Sequence, residues 1–234
     1  GTATFLILGN QCTRRCRFCN MDHRAPAPVD PNEPKRVARA AANLGLDFVV
    51  ITSVTRDDVP DGGAAQFAAT IREVREQLPD AGIEVLVPDF GGSDDALATV
   101  TAARPDVLNH NVETVPRLYA DIRPGADFEQ SCRLITRAAN EGLVTKSGIM
   151  VGLGEEPSEV HAVLKRLANC GCAIVTIGQY LQPTKSSLSV QSYVTPEQFA
   201  EFERAGQSMG LRQVVAGPFV RSSYRAAEVA GRGM

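Results

Sequence analysis

Residues 3–24 read ATFLILGNQCTRRCRFCNMDHR. The run ATFLIL has the alternation of a β-strand, and only a short polar gap separates it from Cys12. Cys12, Cys16 and Cys19 therefore sit where a strand empties into a loop, and whatever they bind lies at a strand's C-terminal end.

Outward from this stretch, strand-like runs recur as FVVITSV, IEVLVPD, DVLNHNVE, VTKSGIMVGLG, AIVTIGQYL and QVVAGPFV. Between them lie amphipathic segments around residues 33–44, 63–77, 93–103, 128–141, 156–169 and 195–209. The alternation predicts parallel strands with helices packed on them, as a doubly wound sheet or a complete or partial barrel. Ser93 before DDALATV and Thr195 before Pro-Glu read as helix N-caps. No linker or low-complexity stretch divides the chain, so residues 1–234 are expected to form one domain. A chain of this length buries enough surface to fold without disulfides or a structural metal, which makes any metal functional.

Polar side chains gather just after the strands: Thr52 and Ser53, Asp57 and Asp58, the run Asn109, His110 and Asn111, then Glu113, Lys146 and Gln179. In a βα barrel that rim binds ligands. A formal net charge of −3 gives no general attraction to nucleic acid, and no apolar run is long enough to span a membrane. The chain opens at Gly1 with neither Met nor a basic-apolar leader, as a trimmed N-terminus would. Six cysteines, three clustered and the others scattered as Cys132, Cys170 and Cys172, fit a reducing compartment better than a secreted disulfide framework. The scattered three read as small buried apolar residues.

The cysteine loop admits several readings. Cys12, Cys16 and Cys19 with His23 would make a local zinc tetrahedron. A disulfide would leave one thiol over. Three thiolates would also hold an iron–sulfur cluster with one iron free of protein ligand, open to a small molecule bearing an amine and a carboxylate. Arg14, Arg15 and Arg17 would then offset the thiolate charge, or else form an exposed basic loop.

C-x-x-x-C-x-x-C after the first strand of a βα series resembles the radical S-adenosylmethionine (SAM) enzymes. The resemblance implies that Cys12, Cys16 and Cys19 hold a [4Fe–4S] cluster that cleaves SAM reductively, giving a radical that abstracts hydrogen. Further motifs are GTATFLILGNQCTRRCRFC, VVITSVTRDDVPDGGA, LVPDF, NHNVETVPRLY, IRPGADF, TKSGIMVGLGE, GQYLQPT and GPFVRSSY. In this order they resemble the lipoyl synthase family over nearly the whole chain. The implied fold is a partial TIM barrel of about six βα units with a C-terminal extension carrying RSSY at 221–224.

The implied activity is sulfur insertion at C6 and C8 of an octanoyl chain on a carrier-domain lysine, with a second [4Fe–4S] cluster as sulfur source. Implied partners are the octanoylated lipoyl carrier domain, an H protein or a 2-oxoacid dehydrogenase subunit, and an external electron donor. A monomer is expected, in the cytoplasm or an organellar matrix. Thr52, Ser53, Asn109, Asn111 and Glu113 are the expected SAM-binding residues, because a zwitterion and a diol need fixed donors and acceptors. Lys146 would reach a substrate carbonyl, pair with a rim acid or snorkel to solvent. Gly148, Gly152 and Gly154 would admit close backbone approach to a ligand or mark a plain strand exit.

Two departures stand out. The family's second cluster uses an upstream C-x4-C-x5-C segment and a serine of RSSY, here Ser223; those cysteines are absent from residues 1–234, and omission of an N-terminal segment is the expectation. After GQYLQPT the family continues toward H-L-P-V and R-Y, where this chain has Ser187, Ser189 and Ser192. Competing functions are a biotin-synthase-like or paralogous radical SAM enzyme and, from another class, a zinc-stabilised binding module.

Overall fold

Parallel strands joined in chain order need a crossover of roughly a dozen residues at each step, which helices supply. The computed structural model describes residues 1–224 and 226–231, so the expected domain limit at residue 234 lies outside the described residues. Strands β1 (Thr2–Ile7), β2 (Phe48–Ser53), β3 (Gly82–Leu86), β4 (Val107–Asn109), β5 (Val144–Val151), β6 (Ile174–Gln179) and β7 (Gln213–Gly217) form one sheet in sequence order. Every pairing is parallel. With β1 and β7 at its two edges the sheet is a partial, open barrel. Helices α1 (Glu33–Asn43), α2 (Ala64–Gln77), α3 (Asp94–Ala102), α5 (Phe128–Asn140), α6 (Pro157–Asn169) and α7 (Pro196–Ser208) fill the crossovers, with a short α4 (Tyr119–Ile122) before α5 and a short α8 (Ala226–Val229) after β7.

The two-residue period of each strand separates two faces. Ala3, Phe5, Ile7, Val49 and Ile51 pack into an apolar layer with α1 and α2, and Val175, Ile177 and Val214 do the same with α5 to α7. On the opposite, concave face Phe48 and Val50 are covered by Ala226, Ala227 and Ala230, so α8 plugs the barrel near the strands' N-terminal ends. Ser93 Oγ accepts from Ala96 N at 3.2 Å and Thr195 Oγ1 from Gln198 N at 3.2 Å, as the cap motifs predict. Each such cap stabilises by about 1 kcal/mol.

One strand is shorter than its sequence suggests. The run DVLNHNVE reads as a strand throughout, but only Val107–Asn109 joins β3 and β5 in the ladder. The chain then bulges toward β5: Glu113, at φ 67°, donates N–H to Gly148 O at 2.9 Å and accepts from Met150 N at 2.8 Å. After β7 the chain turns back across β6. A Cβ on Gly178 would lie 2.2 Å from Val220 O, so only glycine lets this crossing occur. It carries Val220, Arg221 and Ser222 to the barrel mouth.

His110, 1% exposed, braces this end of the barrel. Its Nδ1 donates to Val87 O at 2.9 Å and its Nε2 lies 3.0 Å from Ser131 Oγ of α5. Burial, helped by the charge of Arg123, pushes the imidazole pKa down to about 4. The folded chain thus keeps His110 neutral while the unfolded chain protonates it below its ordinary value. The stability this residue contributes is complete above that ordinary value and is lost as pH falls toward about 4. Between about pH 7.5 and 5.5 His110 should account for a loss of about 1 kcal/mol. Denaturant unfolding at both pH values should show that increment in the wild type and not in His110→Gln; equal pH dependence in both would exclude His110 as its source.

Candidate active site

Residues 8–32 carry the three thiols between β1 and α1 without any helix or strand. A connection of that length holds a shape only where it is tied down. Arg56, 3% exposed, donates to Leu8 O and Ala27 O at 2.9 Å each and pairs twice with Asp58 at 2.8 Å. Leu8 N donates to Glu33 Oε2 at 2.9 Å, and Cys12 N to Asp22 O at 2.7 Å. Thr13 ties the loop to the β2 exit through Thr55 O at 3.0 Å. Arg14 then spans two further loops, with Nη1 and Nη2 at 2.6 and 2.7 Å from the Asp89 carboxylate and Nε and Nη2 at 3.0 and 2.9 Å from Asp57.

Two of the loop's arginines are therefore struts. Arg14 and Arg17 pair with carboxylates, Arg17 with Asp121, and Arg15 is exposed. The cation acting on Cys16 is instead Arg123, which follows α4. Its Nη1 donates to Asn111 O at 3.1 Å and Tyr119 Oη at 3.2 Å, and its guanidinium lies 5.7 Å from the Tyr119 ring centroid. The same α4 accepts Arg17 N at Ile122 O, 2.9 Å, so one short helix supplies the charge and buttresses the loop. Burial pushes the Cys16 thiol up to about 11 against the pull of Arg123, and raises Cys19 as well.

The loop's three cysteines, all free thiols, share a cavity of about 180 Å³ with Thr52, Ser53, His110, Asn111, Glu113 and Arg123. A second cleft of about 270 Å³ shares Leu86, Asn111 and Glu113 with the first and adds Gly148, Thr176, Gly178, Arg221 and Ser222. Asn111 and Glu113 thus form the wall between two chambers. Asn111 Nδ2 donates to Glu113 Oε1 at 3.1 Å, while its Oδ1 is buried with no partner among the described residues. A Cβ on Gly148 would stand 2.7 Å from that oxygen, so glycine is what lets Asn111 lie there. A buried acceptor left open at a cavity wall is placed to accept from a ligand or a water. Burial also raises the Glu113 carboxyl pKa.

Three free thiols on one cavity suit an iron–sulfur cluster. A zinc tetrahedron fits less well: His23 is exposed with Nδ1 3.3 Å from Cys12 O, and no three His, Cys, Asp or Glu side chains among the described residues converge on a single ion.

Of the expected SAM ligands, the pocket brings together Thr52, Ser53, Asn111 and Glu113. Thr52 donates to Leu86 O at 3.2 Å and Ser53 to Val54 O at 2.8 Å, leaving both hydroxyl oxygens as acceptors. Asn109 lines neither chamber; it is fully buried one layer deeper, donating to Glu84 Oε1 at 3.1 Å. Lys146 pairs with Glu84 there, neither reaching the cavity nor snorkelling. Gln179 pins the following loop through Ser192 O at 3.0 Å and Val194 N at 2.9 Å. Gly152 and Gly154 hold φ of 95° and 107°, where glycine is favoured. Ser222 lines the second cleft, whereas Ser223 is half-buried in the turn beside it. Cys132, Cys170 and Cys172 are buried in the helix-side core. Arg123 is the residue that motif reading passed over; its only signal was a cation placed directly before Pro-Gly in IRPGADF.

Comparison with known proteins follows the same lines. The radical SAM superfamily model matches residues 6–167. A lipoyl synthase of Nitratidesulfovibrio vulgaris (strain Hildenborough) is 58% identical over 226 residues, covering 97% of this chain and 76% of that protein. One from Caldanaerobacter subterraneus is 55% identical over 227 residues, 96% of this chain and 80% of that one. Among solved structures, the hydrogenase maturase HydG of Carboxydothermus hydrogenoformans superposes with a TM-score of 0.69 at 14% identity, over 98% of this chain and 65% of that one, a likeness of fold. Identity at this level along almost the whole chain, with the cysteine loop at the mouth of an open parallel barrel, means that the chain belongs to the lipoyl synthase family of the radical SAM superfamily.

Proposed function

We propose that this chain inserts sulfur at C6 and C8 of an octanoyl group on a carrier-domain lysine, giving the lipoyl cofactor. The observation that carries the reading is the joining of three free thiols, the open acceptor of Asn111 and the Glu113 carboxyl in one cavity. Cys12, Cys16 and Cys19 would hold the [4Fe–4S] cluster. When bound, cluster and SAM together supply a radical able to take hydrogen from an unactivated carbon.

The chain's own residues bind and orient. Asn111 Oδ1 and Glu113 offer acceptors to the amine and ribose hydroxyls of SAM, and Arg123 offers a cation to its carboxylate. Leu6, Phe18, Met21 and Val54 give the same cavity an apolar wall. The second cleft shares its wall with this cavity and suits the acyl chain, with the octanoylated carrier domain docked at the mouth and an external donor supplying electrons. Residues 1–234 contain no second thiolate set at the RSSY turn, so Ser223, or the cavity-lining Ser222, would be only one member of a donor set for a second cluster. The uninterrupted sheet from β1 to β7 supports reading the chain as one domain. Among the described residues no helix is long and apolar enough to cross a membrane.

Replacing Cys12, Cys16 or Cys19 by Ala should abolish SAM cleavage and bleach the cluster's visible absorption in anaerobically reconstituted protein. His23→Ala should leave both largely intact. Loss of metal in His23→Ala, with zinc and no iron found in the wild type, would hand the loop to the zinc reading.

Glu113→Gln should weaken SAM binding by about 1.5–3 kcal/mol, the value of a hydrogen bond to a charged group, while the cluster absorption stays unchanged. Equilibrium dialysis with SAM measures this directly. Unaltered affinity would remove Glu113 from the ligand site.

A further inference from the structure

Beneath the wall that divides the two chambers lies a charged group that the proposed chemistry does not use. Lys146 Nζ of β5 stands 3.0 and 3.1 Å from the two oxygens of Glu84 on β3, and the two side chains are 0% and 1% exposed. Asn109, on the strand between them, donates Nδ2 to Glu84 Oε1 at 3.1 Å. Their register neighbours on the concave face are apolar: Val50 and Val107 beside Glu84, Leu86 beside Asn109, Ile174 beside Lys146.

An ion pair in such a place is a poor route to stability. Desolvating both charges costs several kcal/mol each, and well-packed apolar residues of similar volume do as well or better. What the pair does supply is direction, because it grips one amide. Asn109 ends the shortest strand of the sheet, and the bulge bearing Asn111 and Glu113 begins at the next residue. Lys146 holds the root of that bulge twice: its carbonyl accepts His110 N at 3.0 Å, and its ammonium fixes the carboxylate that fixes Asn109. A shift at Asn109 would swing the wall of the cavity.

We propose that Glu84 and Lys146 are positioning residues which, through Asn109, set where Asn111 and Glu113 stand and thereby set the affinity for SAM. This rests on reading the cysteine-lined cavity as the SAM site.

The test compares Glu84→Gln, Lys146→Met, the double variant Glu84→Met/Lys146→Met and, as reference, Glu113→Gln. Each is prepared anaerobically with its cluster and assayed for unfolding midpoint, cluster absorption and SAM dissociation constant. The single variants should lose both stability and SAM affinity, since each leaves a lone buried charge or an unheld amide. The double variant should recover most of the midpoint that the single variants lose, short of the wild type by what the unheld Asn109 amide costs, while its SAM dissociation constant stays about fivefold or more above wild type, with cluster absorption unchanged. A double variant that binds SAM as the wild type does would overturn the proposal. So would single variants that lose stability alone, or a double variant as unstable as the singles, which would make the pair a folding element. Glu113→Gln separates the two levels of inference: if it weakens SAM binding while the double variant does not, only the positioning role fails, and if it has no effect, the SAM-site reading fails with it.

Discussion

The guanidinium of Arg14 is the interaction on which the site depends. Three thiols ride on a connection without secondary structure, and ordering each residue of such a segment costs about 1–2 kcal/mol of backbone entropy. Arg14, placed between the first two cysteines, answers with a bidentate pair to Asp89 and a second pair to Asp57. Asp89 has no exposed side-chain surface, and although burial raises its pKa, Arg14 holds the carboxyl below the usual range. Because Asp89 follows β3 and Asp57 follows β2, one side chain locks the exits of three strands against one another. Planar, bidentate geometry is what an arginine offers here and a lysine does not.

Along its axis the concave face is graded in polarity. Near the strands' N-terminal ends Phe48 and Val50 meet the alanines of α8. In the middle Glu84 accepts from both Asn109 and Lys146, while Asn109 Oδ1 is buried without a partner among the described residues. At the C-terminal ends the polar groups turn toward cavities, and there Asn111 Oδ1, buried without a partner among the described residues, belongs to a residue that lines both chambers. The helix-side face shows no such gradient and carries the apolar cores, so packing stability and ligand chemistry occupy opposite sides of the same strands.

The strands and the long helices were legible because their periods, two and 3.6, persist over enough residues to be read. Ser93 and Thr195 were legible as caps because their chemistry is local. α4 and α8, four residues each, are too short to show a period. Missing α4 meant missing Arg123, whose orientation comes from Tyr119 and the Asn111 carbonyl and not from its own neighbours in sequence. Asn109 and Asn111 look equivalent in a run read as one strand; the chain leaves the ladder between them, and they end in different layers. Lys146 is mid-strand on the concave face, where its stem has no path to solvent, so snorkelling fails as a default.

Apart from its ligands the cavity is an unfavourable arrangement. It contains an amide oxygen without a partner among the described residues, a half-buried carboxyl with a raised pKa, and in Cys16 and Cys19 two thiols whose pKa burial raises, Cys16 up to about 11. On the proposed reading each of these costs would be relieved by binding: a donor for Asn111 Oδ1, a cation or hydroxyl for Glu113, metal for the thiols. Metal binding must drive off the thiol protons, so affinity for a cluster is tied to pH, and the free energy of binding becomes free energy of the folded state. Arg14 on its two carboxylates at the rim and Glu84 on Lys146 beneath it hold the elements around the cavity in place. A site held open in this way spends less of its ligand's binding energy on rearrangement, which is the physical meaning of preorganisation in this barrel.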